Sequence, residues 1–224
     1  PSDKELPQEE YEILLHTLFK KYKITACIIA SVVDELTRTL KHAADNVFHL
    51  NSIVLTNKLN LGINLKLKNP REAGADRIAN ACGAYMLYSK PAIIVDIGTA
   101  TTFDILDKNG DFLGGVIMPG PNLQFRALNK STSKLPKIDA NTVDKAIGNN
   151  TADAILSGVI RGSACAIEGL IEQCEAELSD RAVIIATGGY SSLISKYMNR
   201  QFDFVNPYLT LEGLRFLYEL NKDK

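Results

Sequence analysis

Apolar residues recur at Tyr11, Leu14, Leu15, Leu18, Phe19 and Tyr22, the spacing of an amphipathic helix over residues 8–22. The short apolar run Cys27-Ile28-Ile29 predicts a strand over residues 24–30, followed by a helical pattern at 32–40 and a short strand at 51–55. A third helix begins near Asp76 and runs through Ala79, Ala81, Ala84 and Met86 to about Tyr88. Residues 92–95 are continuously apolar and end at Asp96 and Gly98, as expected of a buried strand that delivers a loop. Residues 101–106 and 112–117 flank Asp107-Lys108-Asn109-Gly110-Asp111, whose Asn-Gly step signals a hairpin. Helical patterns at 121–130 and 151–178 are separated by a polar stretch rich in Ser, Thr, Lys and Pro. A buried strand at 183–186 runs into Thr187-Gly188-Gly189, and a helix at 210–220 precedes a charged tail. Strands alternating with helices predict an α/β fold.

Composition narrows the function classes. With 224 residues, 46% of them hydrophobic, the chain can bury a substantial core. Its 25 basic residues nearly cancel 26 acidic ones, so no basic excess exists to neutralise a nucleic-acid backbone. The four cysteines, Cys27, Cys82, Cys165 and Cys174, form no CxxC pair and read as reduced packing thiols. His16, His42 and His49 join no carboxylate or cysteine motif. No uninterrupted apolar stretch approaches the ~18 residues of a membrane span, and the expected location is cytoplasmic, with neither nucleic acid nor membrane as partner.

Three segments carry candidate chemistry. Asp96-Ile97-Gly98-Thr99-Ala100-Thr101-Thr102-Phe103-Asp104 combines glycine, which lets backbone N–H groups approach a ligand, with the hydroxyls and carboxylates that organise phosphate and metal. It is neither a Walker loop nor a GxGxxG fingerprint, and it also fits an ordinary strand-end turn. Asp76, after Gly74 and beside Arg77, reads equally as a helix-start cap with a solvated ion pair. Thr187-Gly188-Gly189 is either a tight strand-to-helix connection or a ligand loop.

The combination is more specific. Asn69-Pro70-Arg71-Glu72-Ala73-Gly74-Ala75-Asp76-Arg77, the loop from Asp96 to Asp104, Gly114-Gly115-Val116-Ile117-Met118-Pro119-Gly120, Gly148-Asn149-Asn150-Thr151, Thr187-Gly188-Gly189 and Asn206-Pro207-Tyr208-Leu209-Thr210-Leu211-Glu212-Gly213-Leu214 follow in the order and approximate spacing of one family. Over nearly its whole length the chain resembles the type III pantothenate kinases.

The resemblance implies duplicated actin-like (ribonuclease H-like) α/β domains, with residues 1–90 as an incomplete first domain and 91–224 as the second. It implies ATP-dependent phosphorylation of pantothenate to 4'-phosphopantothenate, the first step of coenzyme A biosynthesis. Asp76 takes the place of the proposed general base, with Gly74, Ala75 and Arg77 shaping the pantothenate site. Asp96, Gly98, Thr99 and Thr102 match residues that hold the ATP phosphates, with Asp96 toward the metal; Thr187, Gly188 and Gly189 match the adenosine motif. Thr151 matches a threonine that reaches the pantothenate pocket from the neighbouring protomer, so the resemblance implies a homodimer, together with Mg²⁺ and a monovalent cation, K⁺ or NH₄⁺.

Two departures stand out. The family's first phosphate-binding strand and aspartate-x-glycine-asparagine-threonine loop have no counterpart, since Pro1-Ser2-Asp3 resembles the polar stretch after them. Leu67 stands where many members have a tyrosine, which implies an altered pantothenate pocket. The competing readings are a noncatalytic regulatory relative and an actin-like phosphotransferase with another acceptor; the glycine-x-aspartate-arginine motif favours pantothenate.

Overall fold

The computed structural model describes residues 6–130 and 140–223. The expected start of the chain at Pro1-Ser2-Asp3 and much of the polar stretch after residue 130 lie outside the described residues. The chain divides into two compact units, one of Pro1–Gly62, Lys68–Met86 and Thr210–Lys224, the other of Ile63–Leu67 and Leu87–Leu209.

In the first unit, helix α1 (Gln8–Phe19) and helix α2 (Asp34–Phe48) meet through an edge-to-face contact of Phe19 with Phe48, ring centroids 5.8 Å apart. The expected apolar stripe of α1 is present but unburied, with Leu14, Leu18 and Phe19 exposed, and the helix ends at Phe19, short of the expected Tyr22. Strands β1 (Ile28–Ile29) and β2 (Ile53–Val54) pair in parallel and are shorter than their apolar patterns predict. Helix α2 runs well past the expected residue 40 because Ala43 and Ala44 extend its buried face, and it ends on left-handed His49, whose N–H bonds to the Asp45 carbonyl. Helix α3 (Ala75–Leu87) is buried on all sides from Ile78 to Ala84.

A domain boundary at residues 90–91 does not describe the C-terminus. Most of the last helix, α8 (Leu209–Glu219), belongs to the first unit. Gly213 packs against the Ala79 carbonyl so closely that any side chain there would collide with it. The Thr210 hydroxyl donates to Asn80 Oδ1 at 2.6 Å, and Asn221 is joined to Asn60 by two hydrogen bonds of 2.9 Å. These contacts span more than a hundred residues, so no local pattern announces them.

The second unit is built on a sheet of order β5-β4-β3-β6-β7, with β3 (Ala92–Ile97), β4 (Ala100–Leu106), β5 (Phe112–Pro119), β6 (Val183–Thr187) and β7 (Phe204–Val205). Strand β3 is antiparallel to β4 and parallel to β6. The expected Asn-Gly hairpin joins β4 to β5: Gly110 adopts φ 81°, and Asp107 Oδ1 accepts from Asn109 N at 2.8 Å and Asp111 N at 2.9 Å. Helix α4 (Pro121–Lys130) follows β5.

One sheet face contributes Ile93, Val95, Ile97, Phe103, Ile105, Ile184 and Ala186 to a core completed by Val159, Ile160, Ala164, Ile167 and Ile171. Each such Val, Ile or Phe side chain contributes roughly 1.5–3 kcal/mol on leaving water. The latter five come from one long run in which α5 (Thr151–Leu156), a π-helical turn (Ser157–Arg161) and α6 (Gly162–Leu178) follow without a break, rather than from the uniform helix the pattern predicts. By length and mean hydropathy this run could cross a membrane. Part of its apolar surface is buried in this core. A short helix α7 (Ser191–Ser195) and edge strand β7 were not legible as separate elements.

Candidate active site

The second unit brings three of the expected phosphate-site residues into one row. Asp96 is paired in register with Thr102 on β4 and with Thr187 on β6. Directly opposed residues share a sheet face, and alternation along the strands puts all three on the face away from the core just described. Asp96 and Thr102 are half-buried and Thr187 is buried.

Beyond Asp96 the chain makes a tight turn in which Gly98 N donates to the Ala100 carbonyl at 2.9 Å. Two glycines from other strands press on this turn. Gly120, whose N–H donates to the Thr99 carbonyl at 3.0 Å, has no room for a β-carbon against the Gly98 and Thr99 carbonyls. Gly188, at φ +85°, lies so close that a β-carbon would stand 2.5 Å from Asp96 Oδ1 and 2.6 Å from Ile97 N. The glycines at 98 and 189 are different: a β-carbon would meet nothing nearer than 3.7 Å at Gly98 and nothing within 4 Å at Gly189. Internal packing does not require glycine at either position, and both leave backbone open to a ligand. Thr99 is exposed on the same turn. The row therefore offers a carboxylate, hydroxyls and accessible backbone, the donor set that suits phosphate and a hard cation.

The Gly74 to Arg77 segment is in the first unit. Asn69 opens a 3-10 turn (Pro70–Glu72), accepting from Arg71 N at 3.2 Å, and the chain then enters α3 through Gly74 and buried Ala75. Asp76 is exposed, and its Oδ1 accepts from Arg77 N, a first-turn amide, at 2.8 Å; Asp76 is the second residue of α3 and so helps satisfy the first turn from within the helix. The same oxygen lies 2.5 Å from the place a Gly74 β-carbon would occupy, so a side chain there would push the Asp76 carboxylate aside. Gly74 and Ala75 line a cavity of about 400 Å³ whose other walls include Ser31, Val32, Leu55 and Arg71. Asp76 and Arg77 lie on the adjoining turn and are not among its lining residues. Ser31, Val32 and Leu55 carry no motif, and only the fold brings them to Gly74.

Thr151 opens α5 in the second unit, where Asn150 Oδ1 caps the helix by accepting from Asp153 N at 2.9 Å. Exposed Thr151 also edges a shallow, mostly apolar groove of about 660 Å³ formed with Ala127, Leu128, Ala154, Ile155 and Val159. Leu67, on the segment that pairs with β5, places Cδ2 3.2 Å from a β-carbon position on Gly114, an apolar contact where a tyrosine would bring a hydroxyl.

Other candidates have structural roles or none. Cys82 is buried, donates to the Leu61 carbonyl at 3.3 Å, and burial pushes its thiol up to about 12. Cys165, by contrast, is exposed, so the packing reading does not extend to it. Among the described residues no group of three or more His, Cys, Asp or Glu side chains could hold a metal.

Comparison with known proteins bears on the fold and the family. The family model for type III pantothenate kinase matches residues 1–173. A type III pantothenate kinase of Dehalococcoides mccartyi strain CBDB1 is 44% identical over 210 residues, covering 94% of this chain and 80% of the relative. One from Moorella thermoacetica is 38% identical, covering 98% and 88%. A Campylobacter jejuni structure assigned to the Baf family of transcriptional activators superposes with a TM-score of 0.62 at 22% identity, over 93% of this chain and 89% of the other. The ethanolamine utilization protein EutJ from Carboxydothermus hydrogenoformans gives 0.51 at 15%, over 94% and 74%. The structural likenesses bear on the fold, which is α/β of the actin-like class. The sequence relatives bear on the family: this chain belongs to the type III pantothenate kinases.

Proposed function

We propose a division of labour among this chain's residues for the reaction of its family, ATP-dependent phosphorylation of pantothenate to 4'-phosphopantothenate at the entry to coenzyme A biosynthesis. The observation that carries it is the in-register row Thr102, Asp96 and Thr187 beside the Gly98 turn.

In this reading the second unit holds the donor. Gly98, Thr99 and Thr102 receive the ATP phosphates, while Thr187, Gly188 and Gly189 receive the adenosine side. Asp96 holds Mg²⁺. One carboxylate is a small share of a magnesium shell, which suits an ion completed by phosphate oxygens and water. The cations, Mg²⁺ and a monovalent K⁺ or NH₄⁺, supply neutralisation of phosphate charge during transfer.

The first unit holds the acceptor. Pantothenate occupies the cavity walled by Gly74 and Ala75, with Arg77 on the adjoining turn. Asp76 accepts the proton of the primary hydroxyl, its exposed carboxylate being available for that work. Thr151 completes the acceptor pocket of a partner subunit in a homodimer, for which the apolar groove beside it supplies buriable surface. The enzyme works in the cytoplasm, on a small metabolite rather than nucleic acid or membrane.

Mass-spectrometric detection of phosphorylated pantothenate across a series of Mg²⁺ and monovalent-cation concentrations tests the reading. Product is expected only when both cation classes are present. Undiminished transfer after both are removed would overturn the proposed role of Asp96.

A further inference from the structure

The segment that leads into Thr151 has no regular secondary structure, yet side chains from two elements hold it. Arg161, at the end of the π-helical turn, donates through Nη2 to the carbonyls of Val143 at 3.2 Å and Asp144 at 3.0 Å. Its guanidinium also lies over the Tyr197 ring, 4.8 Å from the centroid. The Tyr197 hydroxyl accepts from Val143 N at 2.7 Å, so the same residue is gripped at both its N–H and its carbonyl. Ser157 Oγ donates to the Ala146 carbonyl at 2.6 Å. Farther along, Gly148 lies against the backbone of Asp153 and Ala154 with no room for a β-carbon.

These contacts form a closed loop: residues 143–148 are bound back onto the helical run that they precede. Helix α5 opens the continuous run 151–178, and the first-turn amides of a helix have no partner within it, so the position of this start depends on the capping and tertiary contacts that hold it. π-Helical turns recur at functional positions, and this one carries both Ser157 and Arg161. Arginine suits the task because its planar fork can span two carbonyls while stacking on a ring, which lysine cannot reproduce.

We propose that Arg161 and Tyr197 are positioning residues for the acceptor site: they clamp the 143–146 segment and thereby fix the helix start that presents Thr151. The proposal rests on the reading of Thr151 as an acceptor-pocket residue. Its prediction is specific to one substrate, since the clamp acts through Thr151 and not through the Asp96 row.

The test uses the full-length enzyme with Arg161→Lys, Tyr197→Phe, Thr151→Ala and the Tyr197→Phe/Thr151→Ala pair, measuring KM for each substrate, kcat and melting temperature. Removing one hydrogen bond to Val143 N is expected to raise the pantothenate KM about 5- to 10-fold, with the ATP KM unchanged. Arg161→Lys should act in the same direction. In the double variant the two effects should combine to less than their product, because both pass through Thr151. If Thr151→Ala leaves the pantothenate KM unaltered, the reading of Thr151 fails and the clamp proposal with it. If Thr151→Ala raises it but Tyr197→Phe and Arg161→Lys do not, or raise both KM values alike, the clamp proposal alone is overturned.

Discussion

Asp96 and Gly188 are in such close contact that a β-carbon on the glycine would lie 2.5 Å from the Asp96 carboxylate oxygen. A side chain at position 188 must therefore move the Asp96 carboxylate and the Ile97 backbone, at the centre of the row proposed to hold phosphate. Gly188→Ala is expected to weaken ATP utilisation by at least about 10-fold, combining the ~1–2 kcal/mol conformational cost at positive φ with the displaced carboxylate. Gly110→Ala is the control: Gly110 has φ 81° but sits in the hairpin at the far end of β4. It should lower the melting temperature similarly while leaving the ATP KM unchanged. Equal kinetic effects from both substitutions would mean that strain, rather than contact with Asp96, governs the site.

This relationship also marks what sequence could and could not reveal. The apolar run before Asp96, the Asn-Gly hairpin and the glycine-rich ends of β3 and β6 were legible because each is a local pattern with a local cause. That Asp96, Thr102 and Thr187 share one row was not, because strand register is set by pairings between segments up to ninety residues apart. The same limit hid the union of α8 with α3 through Gly213 and Ala79, and the gathering of Ser31, Val32 and Leu55 around Gly74. Helix α1 illustrates the reverse: its period was correctly read as helical, but period alone does not say whether the apolar side is covered.

If the acceptor pocket is shared between subunits, two variants of low activity at subsaturating pantothenate should rescue each other. Asp76→Asn and Thr151→Ala protomers, each purified with low activity, are mixed under conditions of verified subunit exchange. Random pairing places both substitutions in one pocket of a heterodimer and neither in the other, so activity should recover to about a quarter of wild type. No recovery would argue against a partner's Thr151 in the pocket.

Stability should carry an acid-sensitive contribution from Glu175. Its hydrogen bonds with Arg200, and a further one from Ala182 N at 2.8 Å, hold its carboxyl below the ordinary value of 4.5 despite partial burial. A depressed folded-state value stabilises the protein above about pH 4.5, and that stabilisation disappears as pH falls through the folded-state value. Discounted for its solvent exposure, the interaction amounts to roughly 1 kcal/mol. Glu175→Gln should therefore melt about 2–4 °C lower than wild type at pH 7, with the difference closing as the pH is taken well below 4.5. A difference that persists unchanged into acid would assign the effect to packing.

The most direct test of the account is the single-turnover rate of pantothenate phosphorylation by Asp76→Asn at saturating ATP and pantothenate. Asparagine keeps an oxygen that can accept from Arg77 N, as Asp76 Oδ1 does at 2.8 Å, but it cannot take up the hydroxyl proton. A cap alone is worth about 1 kcal/mol of stability and no turnover, whereas a positioned general base is worth roughly 100- to 10,000-fold in rate. The account predicts a fall of that size in a protein that melts near the wild-type temperature and still binds ATP. A rate close to wild type would contradict it and leave Asp76 as a helix cap.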